Sequence, residues 1–114
     1  MPFRFKELRT TVNPGSSAEV QWVVPAEESY TLRKIQAVEE SNADLRKVTV
    51  ALTMDGVSRF KEGVTLHAFN VNLSDSPALD YPAPGGTSIR FTLRNDDASA
   101  KTVRIVLYLE EAGR

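Results

Sequence analysis

His67 is the only histidine in the chain, and there is no cysteine. Disulfides, thiolate catalysis and cysteine-based zinc sites are thereby removed. One histidine also excludes a His-based metal cluster. A Ser-His-Asp arrangement is left with no nucleophile elbow or other local signature to support it. His67 sits in the alternating run Thr65-Leu66-His67-Ala68-Phe69, which reads as a strand residue facing solvent or an interface.

The carboxylates resemble a glycosidase pair by count alone. Asp75 and Asp80 fall in one long loop and Asp96-Asp97 in a turn. Glycoside hydrolysis needs a defined separation between two carboxyl groups, which spacing along a chain does not supply. Turn chemistry accounts for these residues, because Asp and Asn bond their own backbone two residues on. Asn72, Asp75 and Asp80, or Asn95, Asp96 and Asp97, could offer oxygens to calcium, but neither set follows an EF-hand spacing. Gly85-Gly86 follows a proline and opens no helix, so it is not a phosphate loop. Trp22 and Tyr30 flank Pro25, and Tyr81 lies in the long loop. Trp22 shares parity with Val20 and Val24 and belongs to a core. Tyr81 is the exposed aromatic a sugar-binding loop would use, with Asp75 and Asp80 beside it. Non-enzymatic chemistry, with no metal and no cofactor, is the resulting expectation.

The elements that would position these residues are strands. The dominant pattern is a period of two. Strands are expected from Phe3 to about Val12, over Val20–Val24, from Tyr30, over Lys47–Met54, over Val57–Phe60, over Val64–Leu73, over Ile89–Leu93 and over Val103–Leu109. In the third, Tyr30 and Leu32 share one parity, and Ile35 and Ala37 the other. That switch marks a β-bulge near Arg33-Lys34. Residues 31–40 also contain good helix formers, but no N-cap precedes a 3.6 period there. Asp55-Gly56 between two apolar runs signals a type I′ hairpin. Glu39–Asp44 reads as a polar loop, Gly63 as a break, and Ser74–Gly86 as a long irregular stretch. About eight strands with turns every 8–12 residues indicate an all-β chain, an antiparallel eight-stranded sandwich of jelly-roll type. At 114 residues the expectation is one domain, 1–114, with residues 1–6 as an N-terminal arm and 110–114 as a tail.

Charge excludes some partners. Lys and Arg total 14 against 15 Asp and Glu, a formal net charge of −1. There is no basic stripe for nucleic acid and no basic excess for an anionic membrane surface. Met1–Glu7 contains no apolar segment of a secretory signal, and no run approaches the roughly 18 apolar residues of a membrane span. Synthesis in the cytoplasm is the expectation.

Apolar residues on the outward parity carry the strongest functional signal. Val106 and Tyr108 oppose Val103, Ile105, Leu107 and Leu109, and Val23 opposes Trp22. Within 64–73, Leu66 and Ala68 oppose Phe69 and Val71. One face of an antiparallel sandwich sheet usually meets water, so outward apolar residues suggest a covering neighbour. The Phe3-Arg4-Phe5 segment could join an edge strand of another subunit. The expected interface is therefore Phe3, Phe5, Val23, Phe69, Val71, Val106 and Tyr108.

Three segments together give the chain its likeness: Val23-Val24-Pro25-Ala26 leading to Tyr30–Ile35, the Val50–Val57 hairpin with Asp55-Gly56, and Tyr81-Pro82 to Gly85-Gly86 before Ile89–Leu93. In these the chain resembles small jelly-roll modules of viral particles: capsid, decoration (cement) and tail-tip proteins. The resemblance is one of sequence style and transfers no residue role. It implies a non-enzymatic, virion-associated role for a homo-oligomer, such as a trimer, docking on a capsid or tail. The alternative is a lectin-like module using the 74–86 loop.

Overall fold

Each alternating run becomes a strand because one parity can be buried while the other meets water. The computed structural model describes residues 3–112, excepting the side chains of 61–63 and 73. Among the described residues there are eight strands: β1 (Phe3–Val12), β2 (Ser16–Val23), β3 (Tyr30–Glu39), β4 (Val48–Met54), β5 (Val57–Thr65), β6 (Tyr81–Ala83), β7 (Ser88–Asn95) and β8 (Lys101–Glu111).

Pairing is nested. β1 pairs with β8, β2 with β7, β3 with β6 and β4 with β5, all antiparallel. The chain is thus one long ribbon. It rolls so that β8 also meets β3 and β7 also meets β4. Two four-stranded sheets result, β1-β8-β3-β6 and β2-β7-β4-β5. This is the jelly-roll order. The inner faces interdigitate through Leu32, Ile35, Ile105 and Leu107 on one side and Leu52, Ile89, Phe91 and Leu93 on the other, all buried. Trp22 packs at the margin of this core, half-buried.

The bulge lies where the parity switch placed it, between Leu32 and Lys34 in the β3–β8 ladder. Residues 31–39 are strand, not helix. Asp55 and Gly56 both have positive φ, 52° and 79°, as a type I′ turn requires. A Cβ on Gly56 would meet no atom within 4 Å, so only conformation penalises a side chain there. Gly56→Ala is expected to cost about 1–2 kcal/mol, measured as a shift in the urea midpoint at unchanged slope. Gly85 is constrained differently: a Cβ would lie 2.3 Å from the Ala26 carbonyl oxygen.

Five expectations are corrected. Residues 3–6 are no arm, since Phe3–Lys6 pair with Leu107–Glu110 of the same chain. Nor are Glu110 and Glu111 a tail, because they end β8; positions 1, 2, 113 and 114 lie outside the described residues. Val64–Leu73 is not a strand. β5 runs through Gly63 to Thr65, and two 3-10 turns follow, Leu66–Phe69 and Leu73–Asp75. Thr65 caps the first, its hydroxyl accepting from the His67 amide. The eighth strand is β6, inside the stretch read as irregular. Glu39 is not loop but the buried end of β3.

Candidate functional site

The outer face of the β1-β8-β3 sheet is built by the residues that alternate with the core. In β8, Val103, Ile105, Leu107 and Leu109 are buried, which turns Thr102, Arg104, Val106, Tyr108 and Glu110 outward. In β1, burial of Leu8 and Val12 turns Phe3, Phe5, Glu7, Arg9 and Thr11 outward. After the β3 bulge, burial of Ile35 and Ala37 turns Lys34, Gln36 and Val38 outward. Register then fixes the rows. Phe5 lies beside Tyr108, and Tyr108 beside Lys34. Glu7, Val106 and Gln36 form the next row, followed by Arg9, Arg104 and Val38.

One end of this face is aromatic. Phe3 stacks on Tyr108 with ring centroids 4.7 Å apart and planes 9° from parallel, and Phe5 tilts against the same ring at 5.0 Å. Phe3 and Phe5 remain 44% and 61% exposed, far more than a sheet residue covered by its own chain. Val71, also exposed, lies across the sheet over β3, where its carbonyl accepts from the Gln36 side chain at 2.7 Å.

The other end is charged and internally neutralised. Arg9 and Arg104 sit directly opposite each other, a repulsive cross-strand pair. Glu40, at the end of β3, resolves this. Its carboxylate accepts from Arg9 Nε and Nη2 at 2.8 and 3.1 Å, and from Arg104 Nε and Nη2 at 3.0 and 2.7 Å. Those hydrogen bonds from Arg9 and Arg104 hold the Glu40 carboxyl down at about 2. Glu39 is likewise lowered: burial works to raise it, but backbone donors and Lys101 outweigh that effect. Both depressed carboxyls stabilise the fold fully above the pKa of an unfolded glutamate and lose that contribution as pH falls through their folded values. The melting temperature is therefore expected to drop between pH 4.5 and about 2. Glu40→Gln should flatten part of that drop; an unchanged acid profile in the variant would contradict the assignment.

Of the expected interface residues, Phe3, Phe5, Val106, Tyr108 and Val71 converge on this one side. Two do not. Phe69 is 4% exposed and stacks on Phe60 at 5.7 Å, so it is core; its apparent outward parity came from reading a 3-10 turn as a strand. Val23 is exposed, but on β2 of the opposite sheet. Val38, also exposed, is an addition. Its signal was the bulge, which makes the parity of Ile35 and Ala37 the inner one.

The loop candidates disperse. Asp75 ends the second 3-10 turn, its amide donating to Asn72. Asp80 pairs with Arg33 at 2.9 Å. Tyr81 pairs with Leu32 in β6, half-buried, with the Arg59 guanidinium 5.2 Å above its ring. That is a strand residue with its ring face covered, not an open platform. His67 is half-buried on a 3-10 turn rather than a strand, and its Nδ1 has no hydrogen-bond partner. Asn95 is wholly buried and braces a turn instead of facing a cation. Among the described residues, no group of three or more His, Cys, Asp and Glu is placed to hold a metal ion. Among the same residues, no helix is long and apolar enough to cross a membrane.

On the opposite sheet the outer face is concave, with a cleft of about 760 Å³ lined by Ser17, Thr49, Ala51, Thr53, Ser58, Thr92 and Arg94. Apart from Arg94, Ala51 and Val50 its lining is hydroxylated, with no aromatic ring and no carboxylate to orient a ligand.

No family model and no curated protein matches the chain. Among solved structures, the dimeric latent PorU from Porphyromonas gingivalis is similar over 94% of this chain at 9% identity, with a TM-score of 0.30. The chain spans 13% of that protein's length, and a likeness this slight carries no argument about function.

Proposed function

We propose that this protein is a non-enzymatic assembly module that docks on other protein through the outer face of β1-β8-β3. The observation that carries this reading is the joined aromatic end of that face, Phe3, Phe5 and Tyr108, with Val106 in the next row. Phe3 and Tyr108 stack face to face with Phe5 tilted against them, an uneven aromatic cluster that matches a protein surface better than a flat sugar ring. An apolar patch rimmed by charged residues is what protein docking sites expose. The sequence style points to a larger particle of the capsid or tail kind as the assembly. The jelly-roll order is compatible with that but, being a fold shared by many functions, does not select it.

The test is photocrosslinking of the full chain in its native setting, with benzoylphenylalanine replacing either Phe5 or Val57. Position 5 is expected to yield protein adducts and position 57, on the other sheet, to yield few. Equal yields, or adducts from position 57 alone, would overturn the assigned face.

A further inference from the structure

We infer that β2 is a pairing edge and that its occupant is a second copy of this chain, joined β2 to β2 about a two-fold axis at Val20. The pairing uses a surface separate from the docking face and does not depend on it.

β2 ends its sheet, with β7 on one side and, among the described residues, no strand on the other. Hydrogen bonding shows which backbone groups are left over. Val24 N donates to Thr87 O, its register partner, so the even residues of β2 turn their backbone towards β7. Across β7, Asp55 N donates to Ser88 O and Asp96 N to Lys47 O. The even residues of β7 thus serve β4, which leaves its odd ones for the even residues of β2. Ser17, Glu19, Gln21 and Val23 therefore aim N–H and C=O into the open, a row that one further strand would satisfy.

The other three edges are blunted. β1 carries Arg4 and Lys6 on its core-facing parity, with Lys6 Nζ 5.8 Å from the centroid of the Trp22 ring. β6 is three residues long and contains Pro82. β5 has register shifts against β4. Short length, proline, irregular register and inward charge are the devices that protect an edge. β2 has none of them: its eight residues keep unbroken register with β7 and include no proline, no glycine and no inward charge. Its core-facing side is also unfinished. Ala18, Val20 and Trp22 are only half-buried, whereas their register partners Leu93, Phe91 and Ile89 are wholly buried.

The strand is complementary to itself. Only its odd residues offer hydrogen bonds, so an antiparallel pair must match odd to odd. Val20 is the midpoint of residues 17–23. A two-fold there matches Ser17 with Val23 and Glu19 with Gln21, using the whole row in about eight backbone hydrogen bonds. On the inner side small meets large, Ala18 against Trp22 of the second copy, with Val20 on Val20 between them. Glu19 is the one charged residue of β2, and this register sets it beside an amide. Moving the axis to Glu19 would set that carboxylate on its own copy. Moving it to Gln21 would set Ser17 against Pro25, which has no N–H to give.

A two-fold along the sheet normal leaves both sandwiches the same way up. The two β1-β8-β3 faces then point to the same side. On the docking reading above, the pair therefore engages one assembly surface through both faces at once.

Sedimentation velocity of the full chain from about 1 µM to about 1 mM is expected to show reversible dimerisation. Val20→Lys sets two cations across the axis and should weaken it about 100-fold. The single chain tolerates that change, because a lysine at half-buried position 20 reaches water past the open edge. Val57→Lys, on β5, should leave the dimer unchanged. The chain has no cysteine, so Val20→Cys reports the axis directly. Facing Cα atoms of a non-hydrogen-bonded pair lie about 4.5 Å apart, within reach of a disulfide. Under mild oxidation Val20→Cys should give a linked dimer and Val57→Cys should not. Melting curves confirm that each variant folds. A chain monomeric to about 1 mM, a dimer indifferent to Val20→Lys, or linking by Val57→Cys but not Val20→Cys would overturn the pairing. A monomer that still crosslinks from position 5 to a different protein would refute the second copy alone. A β2-paired dimer that gives no such adduct from position 5 would refute the docking reading alone.

Discussion

Glu39→Ala is expected to lower stability by about 3–5 kcal/mol, the loss typical of breaking a buried charged network. The carboxylate is 5% exposed. Oε1 accepts from the amides of Ser41 and Ala43 at 2.6 and 3.0 Å, and Oε2 from the amide of Thr102 at 3.0 Å. Alanine would strand three backbone donors. It would also remove a compensating anion near Lys101, a residue 3% exposed whose Nζ lies 3.1 Å from Asp97. Glu39→Gln retains the side-chain carbonyl and should cost less, about 1–3 kcal/mol. Urea unfolding of both variants at pH 7 checks the ranking. Equal small losses would mean that water reaches these amides and that Glu39 does not hold the 40–45 turn.

Asn95→Ala is the second large effect, about 2–4 kcal/mol by the same measurement. The side chain is wholly buried at the end of β7. Its Nδ2 donates to Val12 O at 3.0 Å and Ser99 O at 2.8 Å, and its Oδ1 accepts from the Asp97 amide at 2.9 Å. One amide thus ties the end of β1 to the turn between β7 and β8. Asn95→Asp is the informative companion. It keeps the size and the acceptor but aims an anion at two carbonyl oxygens, so it should be at least as damaging. If Asp is tolerated while Ala is not, the donors matter less than the volume.

Both residues show where a sequence stops being legible. Strands were readable because a period of two is enforced residue by residue: Val48–Met54 and Val103–Leu109 alternate without a break. The β3 bulge was readable for the same reason, as a shift in that period. Glu39 and Asn95 were read as loop because polar residues at strand ends look alike whether they face water or bracket a turn from inside. Only the pairing of β3 with β8 brings Thr102 to Glu39. Val64–Leu73 failed differently. Its alternation imitates a strand, but Thr65 caps a 3-10 turn, and Phe69 drops into the core against Phe60. In the candidate site, parity placed Val106 and Tyr108 outward, yet nothing local could say that Phe3 and Phe5 lie on the same face. That follows from a β1–β8 register joining the two ends of the chain. The Arg9–Glu40–Arg104 group was invisible for the same reason, being drawn from two strands and the turn after a third.

The central claim, that this protein works by docking through the outer face of β1-β8-β3, is tested most directly by hydroxyl-radical footprinting of the chain alone and in its native assembly. Aromatic rings are the reactive groups, and this face holds three of them. Phe3, Phe5 and Tyr108 are expected to be modified readily in the dilute chain and strongly protected once assembled, with Tyr81 unchanged. Equal modification of the three rings in both states would contradict the account.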